Sequence, residues 1–309
     1  MRAPLAALAV ALAACGGAPA PEAALPPPPA LPVGLGERLA EAGLVAEPLD
    51  GADGYGLAEV RSDSGSFLGQ WIDLRRVEVR QVMGEVEPGS DEPSAFHPEA
   101  PSPQFALVDP AAVVAEAEGD GAFAVLNGAF FETPGVPTSQ LAFPVALGGV
   151  AVTGGSSPYG PGRPGAEGER WARPLRALGL DTLANVADYD PATGAPLGAP
   201  GFADAVVSYA PEAHPARIAT RFHVLGPLDA DGDGAAETLV IVTSDGRTRI
   251  GAAASVLARL GVDAGRMLAL DGGASVLVRN RRAGTLHEPT SAGGRSPQWL
   301  PHYLVVAPR

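Results

Sequence analysis

The sequence predicts an α+β fold: a mixed β-sheet domain with packed helices and long loops. Apolar blocks in the second half of the chain follow one another as strand, strand, helix and strand, joined by both hairpin and crossover connections. The 40 glycines and 32 prolines among 309 residues favour many loops over a helical bundle. A hydrophobic fraction of 46% is enough to build the core of one large domain or two small ones.

Each predicted element rests on a local pattern. The block "GQWIDLRRVEVRQV" alternates apolar and charged residues as strands do, and "FAVLNGAFF" is an apolar strand that runs into Asn127 and Gly128. Both residues tolerate positive φ, so we expect a tight turn there. The strand "TLVIVTSDGRT" has "RIATRFHVLG" as its expected antiparallel partner. In "AAASVLARLGV", Val256, Leu257 and Leu260 form one helical face, and "RMLAL" predicts the next strand.

The chain divides into three predicted regions: a signal peptide at residues 1–14, an Ala/Pro-rich tether at 15–50 and one domain at 51–309. Arg2 precedes "PLAALAVALAA", an apolar run too short to span a bilayer as a helix. The stretch "LPPPPALP" favours extended polyproline structure, which forms no core. The segment "GERLAEAGL" predicts one short helix.

The only cysteine, Cys15, follows small residues at the end of the apolar run. The segment "LAAC" resembles the lipobox of bacterial lipoproteins, which implies cleavage before Cys15 and a lipid anchor on its thiol. The alternative is an ordinary secretory signal with a chance cysteine. Both interpretations predict an exported protein; the lipobox predicts one held at a membrane of the cell envelope, on the outer membrane or the periplasmic face. Without a second cysteine, the domain depends on its core or on metals rather than on internal disulfides.

The formal net charge of -14 argues against one class of partner. Nucleic-acid affinity depends on Lys and Arg side chains that displace counterions from phosphates. We therefore expect no nucleic-acid partner. The five histidines show no metal-ligand spacing, so we expect surface or packing roles for them.

The stretch "LALDGGASVLV" stops an apolar strand at Asp271 and continues with Gly272 and Gly273. A carboxylate at a strand end can point into a cleft, and the glycines let the backbone approach a ligand closely. These features suit Asp271 to catalysis. On spacing alone, the alternative is a plain Asp-Gly turn.

A short acidic segment, "LDADGDGAAETLVIV", has the spacing of a calcium loop. Gly234 lies at the sixth position, where a sharp turn is needed, and four acidic residues occupy positions 1, 3, 5 and 9: Asp229, Asp231, Asp233 and Glu237. Val240 occupies the twelfth position and offers no ligand, so the loop is not a complete EF-hand. It resembles the aspartate loops of integrin-type propeller repeats. We expect a structural calcium ion here; the alternative is an acidic hairpin that binds nothing.

Two motifs and their order resemble the phosphodiester glycosidase domain family. "VLNGAFFE" is similar to the family's Asn-Gly-Gly-Phe-Phe motif with its following acid, and "LDGGAS" is similar to its Asp-Gly-Gly-Gly-Ser motif. Between them lie an arginine strand, a strand ending in Asp-Gly-Arg, and a helix; Arg295 in "SAGGRSPQWLPHYLVVAP" precedes the final strand. The resemblance covers roughly residues 70 to 309. The family occurs in bacterial proteins linked to exopolysaccharide and in the enzyme that uncovers mannose phosphate on lysosomal hydrolases.

The resemblance implies hydrolysis of a sugar-phosphodiester, with a carbohydrate or sugar-phosphodiester as the partner of the site. It implies Asp271 as nucleophile or as base for water, Glu132 as a second acid and Asn127 as an anchor for a sugar hydroxyl. Two arginines would hold the phosphate and four further residues would complete the pocket: Arg217, Arg295, Gly128, Gly272, Gly273 and Ser275.

The chain also departs from the family pattern. Ala129 and Ala274 replace glycines, and Arg221 stands where the arginine strand has a glycine. Which arginine faces the site therefore stays open. The altered strand also leaves open a second function, that of a catalytically inactive, calcium-stabilised, carbohydrate-binding lipoprotein of the envelope.

Overall fold

A computed structural model describes residues 30–32, 34–87, 103–131, 138–152, 174–190, 193–213, 219–290 and 298–309. The described helices are α1 (Leu35–Glu41), α2 (Pro110–Gly119) and α3 (Ile250–Arg259). The strands of the first half are β1 (Val45–Ala52), β2 (Tyr55–Ser62), β3 (Gly65–Asp73), β4 (Val77–Met83), β5 (Phe105–Ala106), β6 (Ala124–Asn127), β7 (Thr138–Ser139), β8 (Val145–Leu147) and β9 (Val150–Ala151). Those of the second half are β10 (Leu175–Leu180), β11 (Ala184–Tyr189), β12 (Ala205–Tyr209), β13 (His223–Leu228), β14 (Thr238–Ser244), β15 (Leu268–Leu270), β16 (Val278–Asn280), β17 (Gly284–His287) and β18 (His302–Pro308).

The strands form three large sheets and one two-stranded sheet. The central sheet has the order β1-β2-β3-β14-β13-β15, the second sheet β11-β10-β12-β8-β9, and the third sheet β17-β16-β6-β18-β4. Strands β5 and β7 form the small sheet. Of the described residues, 44% lie in strand and 16% in helix. The fold is therefore sheet-rich rather than an α+β fold with many packed helices.

The predicted mixed sheet is wrong for the described residues, whose strand ladders all run antiparallel. The crossover through α3 explains the error. It leads from β14 to β15, and these two strands do run parallel, but β13 lies between them and pairs antiparallel with both. The sequence indicates the crossover, but it does not indicate that β13 lies between β14 and β15 in the sheet.

Both faces of the central sheet are covered. Val224 and Val242 belong to a core shared with α1, α3 and the second sheet. Leu225 and Ile241 belong to a second core, which the third sheet completes. Strands β13 and β14 are therefore buried at every position, and the residues between their ends form continuous apolar runs rather than alternating ones.

Several predicted elements are confirmed. The β13–β14 hairpin pairs from His223 with Thr243 to Leu228 with Thr238, and α3 buries Val256 as predicted. The folded part also extends further toward the N-terminus than residue 51. Helix α1 begins one residue before "GERLAEAGL" and overlaps it, and β1 pairs with β2 along its length. None of the described helices is long and apolar enough to cross a membrane.

Candidate functional site

The candidate site lies where the ends of β6 and β15 meet. Asp271 directly follows β15, and its backbone N–H donates to the carbonyl of Gly128 at 3.1 Å. Its carboxylate Oδ1 accepts from the N–H of Gly272 at 2.9 Å. Asp271 is only 8% exposed, and this burial raises the pKa of its carboxyl group to about 7, against the opposing hydrogen bonds from Ser275 and Gly272. A carboxyl group that titrates near neutral pH suits proton transfer.

Asn127 holds the Asp271 turn in place. Its Nδ2 donates to the backbone carbonyl of Asp271 at 2.8 Å. Its Oδ1 accepts from the N–H of Leu277 at 2.8 Å and lies 2.7 Å from Nε2 of His223. Because both acceptor positions of the amide oxygen are used within the protein, Asn127 positions the chain segments on either side of it.

His223 is a part of the site that the sequence analysis did not identify. It is fully buried on β13, and its Nδ1 lies 2.7 Å from the Thr243 hydroxyl. An amide oxygen accepts only, so Nε2 carries the proton and Nδ1 accepts from Thr243. Burial lowers the pKa of His223 to about 3, which keeps the ring neutral. No residue spacing in the sequence signals this contact.

A second buried histidine, His302, contacts the segment that follows β6. Its Nδ1 accepts from the backbone N–H of Ala129 at 2.8 Å, and its Nε2 lies 3.0 Å from Oε1 of Gln81. Burial lowers the pKa of His302 to about 3. The predicted packing role for the histidines holds for His223 and His302, but each also makes specific hydrogen bonds at the site.

The glycines of the two motifs provide space more than backbone freedom. Gly128 does not have positive φ, contrary to the predicted turn chemistry, but a Cβ there would collide with the ring of His302. At Gly272 a Cβ would lie 2.7 Å from the carbonyl oxygen of Arg221 and 2.8 Å from Phe222. Only Gly273, with φ at 69°, uses the left-handed region.

Arg221 and His287 lie at the rim of this site. The carbonyl of Arg221 accepts from the N–H of Gly273 at 2.8 Å, and its Nη1 lies 3.4 Å from the carbonyl of Glu288. Burial and the positive charge of Arg221 lower the pKa of His287 to about 4. The backbone of Arg221 therefore lies beside the Asp271 turn, and its side chain reaches toward Glu288 and His287.

The structure brings together six of the predicted site residues: Asp271, Asn127, Gly128, Gly272, Gly273 and Ser275. Four others lie outside the described residues: Cys15, Glu132, Arg217 and Arg295.

The predicted metal ligands form a separate cluster in the β13–β14 loop. One carboxylate oxygen from each of four residues lies within 4.8 Å of the others: Asp229, Asp231, Asp233 and Glu237. This acidic cluster can hold a metal ion. His223 lies at one end of β13 and the loop follows Leu228 at the other, which separates the cluster from the Asp271 turn by about 17 Å.

Comparisons with known proteins identify the fold. No family model and no curated protein sequence matches the chain. Among solved structures it is similar to the zebrafish N-acetylglucosamine-1-phosphodiester alpha-N-acetylglucosaminidase catalytic domain, auto-inhibited by its pro-peptide, at 16% identity and a TM-score of 0.51. That match covers 86% of this chain and 84% of the other.

Two bacterial structures are more distant. A hypothetical protein from Synechocystis matches at 12% identity and a TM-score of 0.46, over 86% of this chain and 64% of its own. A protein from Burkholderia pseudomallei K96243 described as exported matches at 14% and 0.45, over 82% and 74%. The chain therefore has a phosphodiester glycosidase-like fold, as its two motifs predict.

Proposed function

We propose that the chain is a hydrolase that cleaves the bond between the anomeric carbon of a sugar and a phosphodiester oxygen. The observation that carries this proposal is Asp271: a buried carboxyl group with a pKa of about 7, held at the end of β15 by backbone hydrogen bonds to Gly128 and Asn127. The similarity of fold to a glycosidase catalytic domain supports it.

In the proposed reaction water adds to the anomeric carbon, the bond from that carbon to the phosphate oxygen breaks, and a phosphate monoester leaves with the electron pair. Positive charge develops on the sugar and negative charge on the phosphate. A phosphate leaving group needs little protonation, so the main demand is for a carboxylate near the anomeric carbon. Asp271 fills that role, either as base for the water or as nucleophile.

The other roles follow from the motif resemblance. Glu132 would act as a second acid, and Arg217 and Arg295 would hold the phosphate through paired hydrogen bonds. The Ser275 hydroxyl and the amides after Gly272 would complete the pocket. The contacts of Asn127 with Asp271, Leu277 and His223 favour a positioning role over the anchoring of a sugar hydroxyl.

A substrate panel tests the reaction class. We expect the purified chain to release phosphate monoester from sugar-1-phosphodiesters and to leave aryl glycosides and sugar-free phosphodiesters intact. Hydrolysis of sugar-free phosphodiesters would identify a phosphodiesterase instead. Failure on every sugar-1-phosphodiester of a broad panel, with binding retained, would support the inactive carbohydrate-binding protein.

We further propose that the acidic cluster binds calcium and stabilises the β13–β14 hairpin. Glu237 is 1% exposed and its Oε2 has no hydrogen-bond partner among the described residues. A buried carboxylate oxygen without a partner is costly unless a cation satisfies it. Two oxygens on opposite sides of a calcium ion lie about 5 Å apart, which matches the 4.8 Å spread of the cluster.

For the cellular setting, we propose an exported lipoprotein with Cys15 as the lipidated residue, acting in envelope or exopolysaccharide metabolism. The "LAAC" segment supports the anchor. Changing Cys15→Ser should release the protein from the membrane fraction or leave an unprocessed precursor. Unchanged membrane association with an unshifted mass would rule the anchor out.

A further inference from the structure

The acidic cluster of the β13–β14 loop already has a cationic partner. Arg75, in the turn between β3 and β4, places Nη1 3.2 Å from Oδ2 of Asp231 and Nη2 3.8 Å from Oε1 of Glu237. Its Nε lies 3.2 Å from Oδ1 of Asp73, outside the cluster. Among the described residues, the ion pairs to the four cluster carboxylates come from this one guanidinium.

One guanidinium leaves the cluster under-neutralised. Four carboxylates face a single charge, and the Oε2 atom of buried Glu237 lacks a partner even with Arg75 in place. The carboxylate of Asp229 accepts hydrogen bonds from the N–H groups of Gly232 and Gly234 at 2.6 and 2.8 Å. These bonds hold the loop in its conformation and add no net charge. The loop therefore keeps its conformation through its own hydrogen bonds and remains strongly negative.

A calcium ion and the guanidinium compete for the same two carboxylates. Calcium requires six to eight oxygen ligands at about 2.3–2.6 Å. Asp231 and Glu237 are two of the four carboxylates that would supply these ligands, and both form ion pairs with Arg75. Calcium bound to Asp231 and Glu237 would repel the positively charged guanidinium of Arg75 if it stayed at the same carboxylates. The ion and the guanidinium therefore cannot both occupy them fully.

Arg75 has space to move away. Its side chain is 48% exposed, and it lines a cavity of about 750 Å³ together with Trp71, Leu228 and Arg76. The contact between Nε and Asp73 involves none of the cluster carboxylates, so calcium does not compete for it. The movement therefore requires a change of side-chain rotamer and no change of backbone.

We propose that Arg75 is the internal counter-ion of the cation site, and that a calcium ion displaces its guanidinium from Asp231 and Glu237. This inference rests on the calcium site proposed above. The exchange leaves the loop partly neutralised in both states: by the single charge of Arg75 when calcium is scarce and by the double charge of calcium when it is abundant. Arg75 thereby weakens calcium binding and sets the concentration at which the site fills.

The test compares calcium affinities of full-length protein stripped with chelator, measured by isothermal titration calorimetry with calcium chloride. Arg75→Gln should bind calcium about tenfold more tightly than the wild type, because a unit charge beside a divalent ion in a water-rich setting changes affinity by about that factor. Arg76→Gln is the matched control: Arg76 lines the same cavity but pairs with Asp53 and Asp73. It should bind calcium with nearly wild-type affinity.

The outcomes separate the two proposals. Equal or weaker affinity in Arg75→Gln, with calcium still bound by both proteins, would overturn the exchange and leave the calcium site standing. If calcium chloride gives no binding heat with either the folded wild type or the folded variant, the calcium site itself would be overturned. If Arg75→Gln does not fold, Arg75→Lys replaces it: lysine keeps the charge and loses the planar fork, so an affinity gain well below tenfold is expected. A tenfold gain in the lysine variant would contradict the charge argument.

Discussion

Asn127 donates a hydrogen bond of 2.8 Å to the backbone carbonyl of Asp271, a residue 144 positions away in the chain. Asn127 is the last residue of β6 in the third sheet, and Asp271 directly follows β15 of the central sheet. The bond joins these sheets where Gly128 lies against the ring of His302 and Gly272 lies against Arg221 and Phe222. The position of the proposed catalytic carboxyl group thus depends on an amide that belongs to the first motif.

Replacing Asn127 with Ala should destabilise the fold by about 3 kcal/mol, because the buried N–H of Leu277 and Nε2–H of His223 would lose their acceptor. Urea unfolding measures the loss. Asn185→Ala, at a half-buried position on β11, is the control and should cost less than half as much. Equal losses in the two variants would show that Asn127 has no special structural role.

Gly128→Ala should cost about 2 kcal/mol, because the new methyl group displaces His302 and weakens its bond to the N–H of Ala129. Gly119→Ala provides the matched control. It lies at the end of α2 with nothing within 4 Å of the added Cβ, so it should be neutral or slightly stabilising. Denaturant midpoints that shift alike for both variants would refute the steric explanation.

The stability of the wild type relative to Asp271→Asn should fall as the pH rises. The pKa of Asp271 is about 7 in the folded state and 3.8 for a free aspartate side chain, so folding favours the protonated form. That contribution is fully present below about pH 4 and is lost as the pH rises through 7. Between pH 4.5 and 7.5 the difference in unfolding free energy should change by about 3 kcal/mol. Parallel stability curves for the two proteins would exclude the raised pKa.

Calcium should raise the melting temperature of the wild type as its free concentration exceeds the dissociation constant, and chelator should reverse the rise. The double variant Asp229→Ala with Asp231→Ala should show no such response, because it lacks two of the four clustered carboxylates. Differential scanning calorimetry at several calcium concentrations gives the measurement. If neither calcium nor chelator changes the melting temperature of the wild type, the loop is an acidic hairpin turn that binds no calcium.

The sequence predicts the local elements and the motif pair better than their arrangement. The β13–β14 hairpin and α3 follow from short-range patterns, and Asp271 and Asn127 from two motifs that the structure brings into contact. The insertion of β13 between β14 and β15 depends on long-range packing, which periodicity does not encode.

The histidine contacts show the same limit. His223 and His302 gain their roles from partners 96 and 173 positions away, so no local spacing identifies them. The motif predicts positive φ at Gly128, whereas the constraint on that residue is the ring of His302. Such steric constraints arise only when distant segments pack together.

The most direct test of the proposed function is the rate of Asp271→Asn on a sugar-1-phosphodiester that the wild type hydrolyses, with Asp63→Asn as the control. Asp63 is an exposed acid paired with Arg259 on the surface, so its loss should leave the rate unchanged. Asp271→Asn should remain folded and lose on the order of a hundredfold or more in kcat. An Asp271→Asn protein that is folded and hydrolyses the substrate at the wild-type rate would contradict the assignment of Asp271 as the catalytic carboxylate.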